Sequence, residues 1–138
     1  FDKKYAFFAL LALFHDVFIV FGIFSWIGIL LSIEVNSLFA VSLLTIAGYS
    51  VNDTVVIFDR IRENLKTKNL KYNETIQLSV NESFRRTSFT SITTMIPLIT
   101  LMLFGSYSLF WFALSLSLGI LIGSYSSILL APSFLLNE

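Results

Sequence analysis

The chain has 138 residues, nine basic and nine acidic, so its formal net charge is zero; 56% of the residues are hydrophobic and only 13% charged. With a mean hydropathy of +0.82 and no Lys, Arg, Asp or Glu from position 87 to 137, it lacks the polar surface of a water-soluble domain and reads as an integral membrane protein. The absence of cysteine excludes disulfides, thiolate catalysis and Cys-based metal sites, and a single histidine cannot build a zinc site.

Four apolar stretches, at about 5–31, 37–58, 84–104 and 109–135, each supply the ~20 residues that cross a ~30 Å hydrocarbon core. They predict an all-α membrane protein of four transmembrane helices. The link at 32–36 and the turn at 105–108 are too short for anything but two hairpins. All nine basic residues lie at 3–4 and 60–86, and neither hairpin link holds one. The positive-inside rule therefore places Lys3, Lys4 and the connection 59–83 in the cytoplasm, with both hairpins pointing outward. Because the chain starts without Met and without a leader, a piece of a longer protein is expected.

In the first stretch His15 and Asp16 stand about 16–18 Å from Lys4 by helix rise, close to mid-membrane. A lone histidine there can be a hydrogen-bonded packing residue; beside a buried acid it is a candidate relay member, since its pKa can cross neutrality.

Asp53 is the most informative residue of the second stretch. A carboxylate in an otherwise apolar span costs about 2.5–3.5 kcal/mol on insertion scales, and the default reading is a site for moving protons or ions. Tyr49, Ser50 and Asp53 lie within one turn, with Asn52 beside them, and predict a polar face about 9 Å inside the span. Gly48 would let another backbone approach or let the helix unwind. The structural alternative makes Asp53 interhelical hydrogen-bonding glue.

In the connection 59–83, Asn73 can cap a helix whose Ile76, Val80 and Phe84 form one apolar stripe. Such a helix is expected on the inner membrane face or against a partner. Arg85 and Arg86 open the third stretch with directions about 100° apart. Arg85 shares its face with Phe89, Ile92 and Ile96 and should snorkel toward headgroups. Arg86 shares its face with Thr90, Thr93, Thr94 and Pro97, a hydroxyl stripe expected to face the bundle, which makes it the candidate counter-ion of Asp53. The alternative is that both arginines only anchor the span. In the fourth stretch Ser115, Gly119, Gly123 and Ser127 recur every four residues, a small-residue ridge for close helix packing.

The seventeen residues from Gly48 to Asn64, Gly-Tyr-Ser-Val-Asn-Asp-Thr-Val-Val-Ile-Phe-Asp-Arg-Ile-Arg-Glu-Asn, closely resemble the signature of the SecF family of bacterial protein-export membrane subunits. Phe14-His15-Asp16-Val17, Arg86-Thr87, Thr90-Ser91 and Thr93-Thr94 add to the resemblance, which spans nearly the whole chain. It implies the last four of six helices of a resistance-nodulation-division superfamily protein. Such a protein works with SecD beside the SecYEG channel, and with YajC, after the ATP-driven SecA step. The implied role is to use the proton gradient to draw preproteins across the plasma (inner) membrane, or a plastid thylakoid membrane. In the family the acid matching Asp53 and the arginine matching Arg86 are associated with the proton path. Preproteins and membrane lipids are the implied contacts; no cofactor, metal, enzymatic activity or nucleic-acid partner is expected. Rival readings are another superfamily transporter driven by protons and carrying lipid or a small molecule, a passive scaffold, and an intramembrane aspartyl protease pairing Asp16 with Asp53. The protease lacks its Gly-x-Gly-Asp context here.

Overall fold

A computed structural model of the protein describes residues 3–34 and 36–136. Every regular element among them is helical: α1 (Lys3–Leu31), α2 (Ser37–Thr67), α3 (Tyr72–Phe104) and α4 (Tyr107–Tyr125), which runs through a π-helical turn (Ser126–Leu130) into α5 (Ala131–Leu136). Four helical rods are long and apolar enough to cross a membrane, with α4, the π turn and α5 acting as one. The all-α membrane class expected from composition is therefore what the structure shows.

Local chemistry sets the ends of these rods. Ser32, at φ 51°, closes α1 in the left-handed conformation, and the Ile33 N–H reaches back to the Gly28 carbonyl at 3.2 Å, the six-to-one bond of a Schellman cap. Asn36 starts α2 by accepting the Phe39 N–H on its side chain at 3.3 Å.

Two helices depart from the expected boundaries. α2 continues past its apolar stretch to Thr67, and α3 begins at Tyr72, so the non-helical part of the 59–83 connection shrinks to 68–71. Nor does Asn73 cap a separate amphipathic helix. It lies inside the first turn of α3, because Glu74 accepts the Lys71 N–H and fixes the start two residues earlier. The predicted stripe packs on the extension of α2 itself: Ile76 is buried with Ile57, Phe58 and Ile61, Val80 packs against that cluster, and Phe84 is exposed. An apolar face that meets its own neighbour has no need of the membrane surface.

Inside the bundle α2 is central, packing on α1, α3 and most extensively on α4. One apolar cluster, around Ile57, Ile61, Ile76 and Leu135, fills the charged end. A second, around Val20, Ile46, Leu98 and Ile120, fills the other. Phe18, Trp26, Leu44 and Phe104 point outward, so the outer surface is apolar as lipid contact requires. At Gly119 α4 meets α2 closely, since a Cβ there would overlap the Ile46 side chain.

Candidate functional site: two buried carboxyls flanking α2

Polar side chains gather between the two apolar clusters, and α2 divides them into separate groups. Asp16 is fully buried. Its Oδ2 accepts hydrogen bonds from the Ser50 hydroxyl of α2 at 2.5 Å and the Ser126 hydroxyl of the π turn at 2.7 Å. Its Oδ1 lies 3.1 Å from Nδ1 of His15, whose ring is half-buried. One carboxyl thus ties three rods together. Beside it, the Thr54 and Ser127 hydroxyls pair at 2.9 Å. An α-helix turns 100° per residue, which would swing one of two adjacent serines away. The wider π turn lets both Ser126 and Ser127 reach inward, a common use of such bulges.

On the other side of α2, the Tyr49 hydroxyl meets Ser91 of α3 at 3.2 Å, and Ser91 meets Ser124 of α4 at 2.5 Å. Asp53 is only 5% exposed, and its Oδ2 has no hydrogen-bond partner among the described residues. None of the described ion pairs includes Arg86, its expected counter-ion, which is exposed on α3. The two acids therefore differ in kind. Asp16 is held by hydroxyls; Asp53 is not.

Several sequence expectations need correction here. Tyr49, Ser50, Asn52 and Asp53 do not form one polar face: Ser50 turns to Asp16, Tyr49 to Ser91, and Asn52 is exposed. Thr90 and Thr93 are exposed and Thr94 half-buried, so the hydroxyl stripe of α3 does not face these four helices. The buried face of α3 carries Ser83, Thr87, Ser91 and Leu98 instead, rotated by about 100°. Thr90, Thr93 and Thr94 satisfy their hydroxyls on carbonyls one turn back, at 2.7, 2.9 and 2.7 Å. Gly48 is exposed with nothing within 4 Å of a Cβ position, so no described backbone approaches it. In the small-residue ridge, Ser115, Gly119, Gly123 and Ser127 are all buried, and a Cβ on Gly123 would stand 3.5 Å from Ser50 and 3.7 Å from Asp16. Arg85 is exposed and lies over the Phe89 ring at 5.7 Å from its centroid.

The sequence pattern does not single out Ser124 or Ser126, and it marks Ser91 only through the family resemblance. A four-residue spacing picks out Ser127 and passes over its neighbour, because it assumes an unbroken α-helix. Beyond the apolar stretches a further layer appears: Glu82 of α3 accepts Arg60 Nε at 2.7 Å, Lys68 Nζ at 2.7 Å and Asn64 Nδ2 at 2.9 Å. These three donors hold its carboxyl down at about 2.

Fold and site together define a polytopic helical membrane protein with two carboxyls buried in its bundle. The profile of the family described as "Protein export membrane protein SecD/SecF, C-terminal" matches residues 1–137. The protein translocase subunit SecF of Prochlorococcus marinus is 57% identical over 98% of this chain, and that of Synechocystis is 47% identical over 96%; the chain spans 42% of each. The subunit SecDF of Thermus thermophilus is 43% identical over 93% of this chain and 17% of its own length. A crystal structure of SecDF in its super-membrane-facing form superposes with a TM-score of 0.91 at 40% identity, covering 99% of this chain and 18% of that one. The chain belongs to the SecD/SecF family and corresponds to the C-terminal membrane portion of SecF.

Proposed function

We propose that this chain is part of a proton-gradient-driven accessory subunit of the Sec protein translocase, in which Asp53 takes up and releases the proton. One observation carries the reading: among the described residues, a carboxyl buried inside the bundle has an oxygen with no hydrogen-bond partner, and its expected counter-ion, Arg86, sits on a different helix. Any relative movement of α2 and α3 changes the distance between Asp53 and Arg86. That alters the proton affinity of the carboxyl between conformations, which is what coupling to a conformational cycle requires.

A proton crossing a 100 mV potential releases about 2.3 kcal/mol. That shifts a two-state population roughly 50-fold, short of the ~10⁴-fold needed to switch it completely, so several protons or a pH gradient contribute. His15 and Asp16 form a second protonatable pair across α2, and we assign them to the same relay. The names of the relatives, protein translocase subunits SecF and SecDF, support SecD as the immediate partner, with SecYEG, SecA, YajC and the preprotein as the wider assembly. Gly48 and Asn52 of α2 and Thr90 and Thr93 of α3, all exposed in this unit, are positions that SecD or the rest of the protein covers. The basic ends of α2 and α3 lie on the cytoplasmic side of the plasma or thylakoid membrane.

The test is Asp53→Asn in the full-length subunit, assayed in inverted membrane vesicles. Gradient-dependent completion of preprotein transport is lost while the ATP-driven component persists. An unchanged gradient-dependent rate overturns the proposal.

A further inference from the structure

Over its most apolar part α3 is the least buried of the four rods. Between Thr87 and Leu98 one residue of it, Ser91, is buried, and the others are exposed or half-buried. Among the described residues, Ser91 also makes the only side-chain hydrogen bonds that join 84–104 to another rod. Its hydroxyl meets that of Tyr49 of α2 at 3.2 Å and that of Ser124 of α4 at 2.5 Å. The place of this contact along the bundle gives it reach. Tyr49 and Asp53 are four apart and share a face of α2, as Ser91 and Thr87 share one of α3. The two helices run antiparallel, with Tyr49 against Ser91 and Arg60 against Glu82. One turn from the Tyr49–Ser91 bond, about 6 Å along the axis, this register sets Asp53 opposite Thr87, the residue that follows Arg86.

The hydrogens of the three hydroxyls do not cover their contacts. A hydroxyl donates one hydrogen and accepts two. Ser91 also reaches the Thr87 carbonyl at 2.9 Å, and Ser124 the Ile120 carbonyl at 2.8 Å. Four contacts thus share three hydrogens. With Tyr49 donating to Ser91, two orders remain. Ser91 gives its hydrogen to Thr87 and receives that of Ser124, or it gives to Ser124, which then bonds Ile120. One backbone contact is unmade in either order. If α3 moves away, each serine keeps a carbonyl on its own helix, so parting them strands neither hydroxyl.

We infer that Tyr49 is a positioning residue for the proton step: with Ser91 and Ser124 it forms a releasable latch that holds α3 onto α2 and α4, and so fixes where the helix carrying Arg86 stands relative to Asp53. This role rests on the proton-coupled reading of Asp53. The latch is suited to a cycle because few other buried groups hold this part of α3. Closed, it keeps α3 at one distance from the carboxyl; open, it lets α3 take a second position.

Removing one hydroxyl tests the latch without touching the carboxyl. In the full-length protein, Tyr49→Phe and Ser91→Ala are each expected to lower gradient-dependent preprotein transport several-fold with the ATP-driven rate intact. Ser42→Ala is the control, since it deletes a fully buried hydroxyl of α2 that bonds only to its own helix; it is expected to change neither rate. Helix spacing is the second readout. Spin labels on Leu44→Cys and Ile96→Cys, both on the exposed apolar surface, report the distance between α2 and α3 in a protein freed of cysteine elsewhere. The distance distribution broadens or gains a second component in Tyr49→Phe and stays as it is in Ser42→Ala. An unchanged distribution in Tyr49→Phe, or a changed one with full gradient-dependent transport, overturns the latch. If Asp53→Asn abolishes coupling in either of those cases, the proton reading stands and only the role of Tyr49 is wrong. If Asp53→Asn couples normally, the proton reading falls and the latch falls with it.

Discussion

At the scale of single residues, what separates Asp16 from Asp53 is the number of donors each is given. Asp16 Oδ2 takes two serine hydroxyls from two different rods, so removing one leaves a buried acceptor short. Ser126→Ala is expected to destabilise the bundle by about 1–3 kcal/mol, read as a lower melting temperature in detergent; an unaltered melting temperature would mean that this bond contributes nothing. Steric contact decides the outcome at Gly119. Because an added Cβ overlaps the buried Ile46, Gly119→Ala should cost about 1–3 kcal/mol through overpacking. Combining it with Ile46→Ala removes the obstructing atoms, so the double variant should be less destabilised than the sum of the singles. Strict additivity of the two melting shifts would show that the overlap is relieved by other means.

At the scale of elements, the extensions of α2 and α3 form a helical pair outside the apolar spans, with an apolar seam and a charged rim. Ile76 is 1% exposed in that seam, and Ile76→Ala should cost about 2–5 kcal/mol. The effect is checked as faster amide exchange in 61–80. On the rim, Arg60, Asn64 and Lys68 hold the carboxyl of Glu82 below its ordinary value. A depressed acid contributes stability that is complete above the ordinary value of 4.5 and is lost as pH falls through about 2. Protection of the 61–80 amides should therefore decline over that acidic range in the native protein. In Glu82→Gln it should be lower already at neutral pH and show less of this decline. Because the group is at the surface, the effect should shrink as salt is raised.

For the whole molecule, the exposed hydroxyl stripe of α3 carries the main message. Thr90 and Thr93 contact none of the other described helices through their hydroxyls, which bond instead to their own helix. Replacing both with Val should change the stability of this four-rod unit by no more than about 0.5 kcal/mol. A larger loss, measured by thermal melting in detergent, would show that the stripe is needed within the unit itself. The chain spans 42% of its SecF relatives, and a polar stripe is costly against lipid. Under the proposed function, this stripe is a surface left for the remainder of the assembly to cover.

Composition, the four apolar runs and their lengths were enough to read a helical membrane bundle, because a bilayer leaves the backbone almost no other way to satisfy its hydrogen bonds. The motif around Asp53 was enough to place the chain in its family. Rotation and register were not legible. Whether Thr90 or Thr87 turns inward, whether Asn73 starts a helix or sits inside one, and that Ser126 joins Ser127 at the core all depend on how neighbouring rods meet. A local pattern fixes only which residues share a helical face. Packing chooses which face is buried, and a π turn shifts every face beyond it.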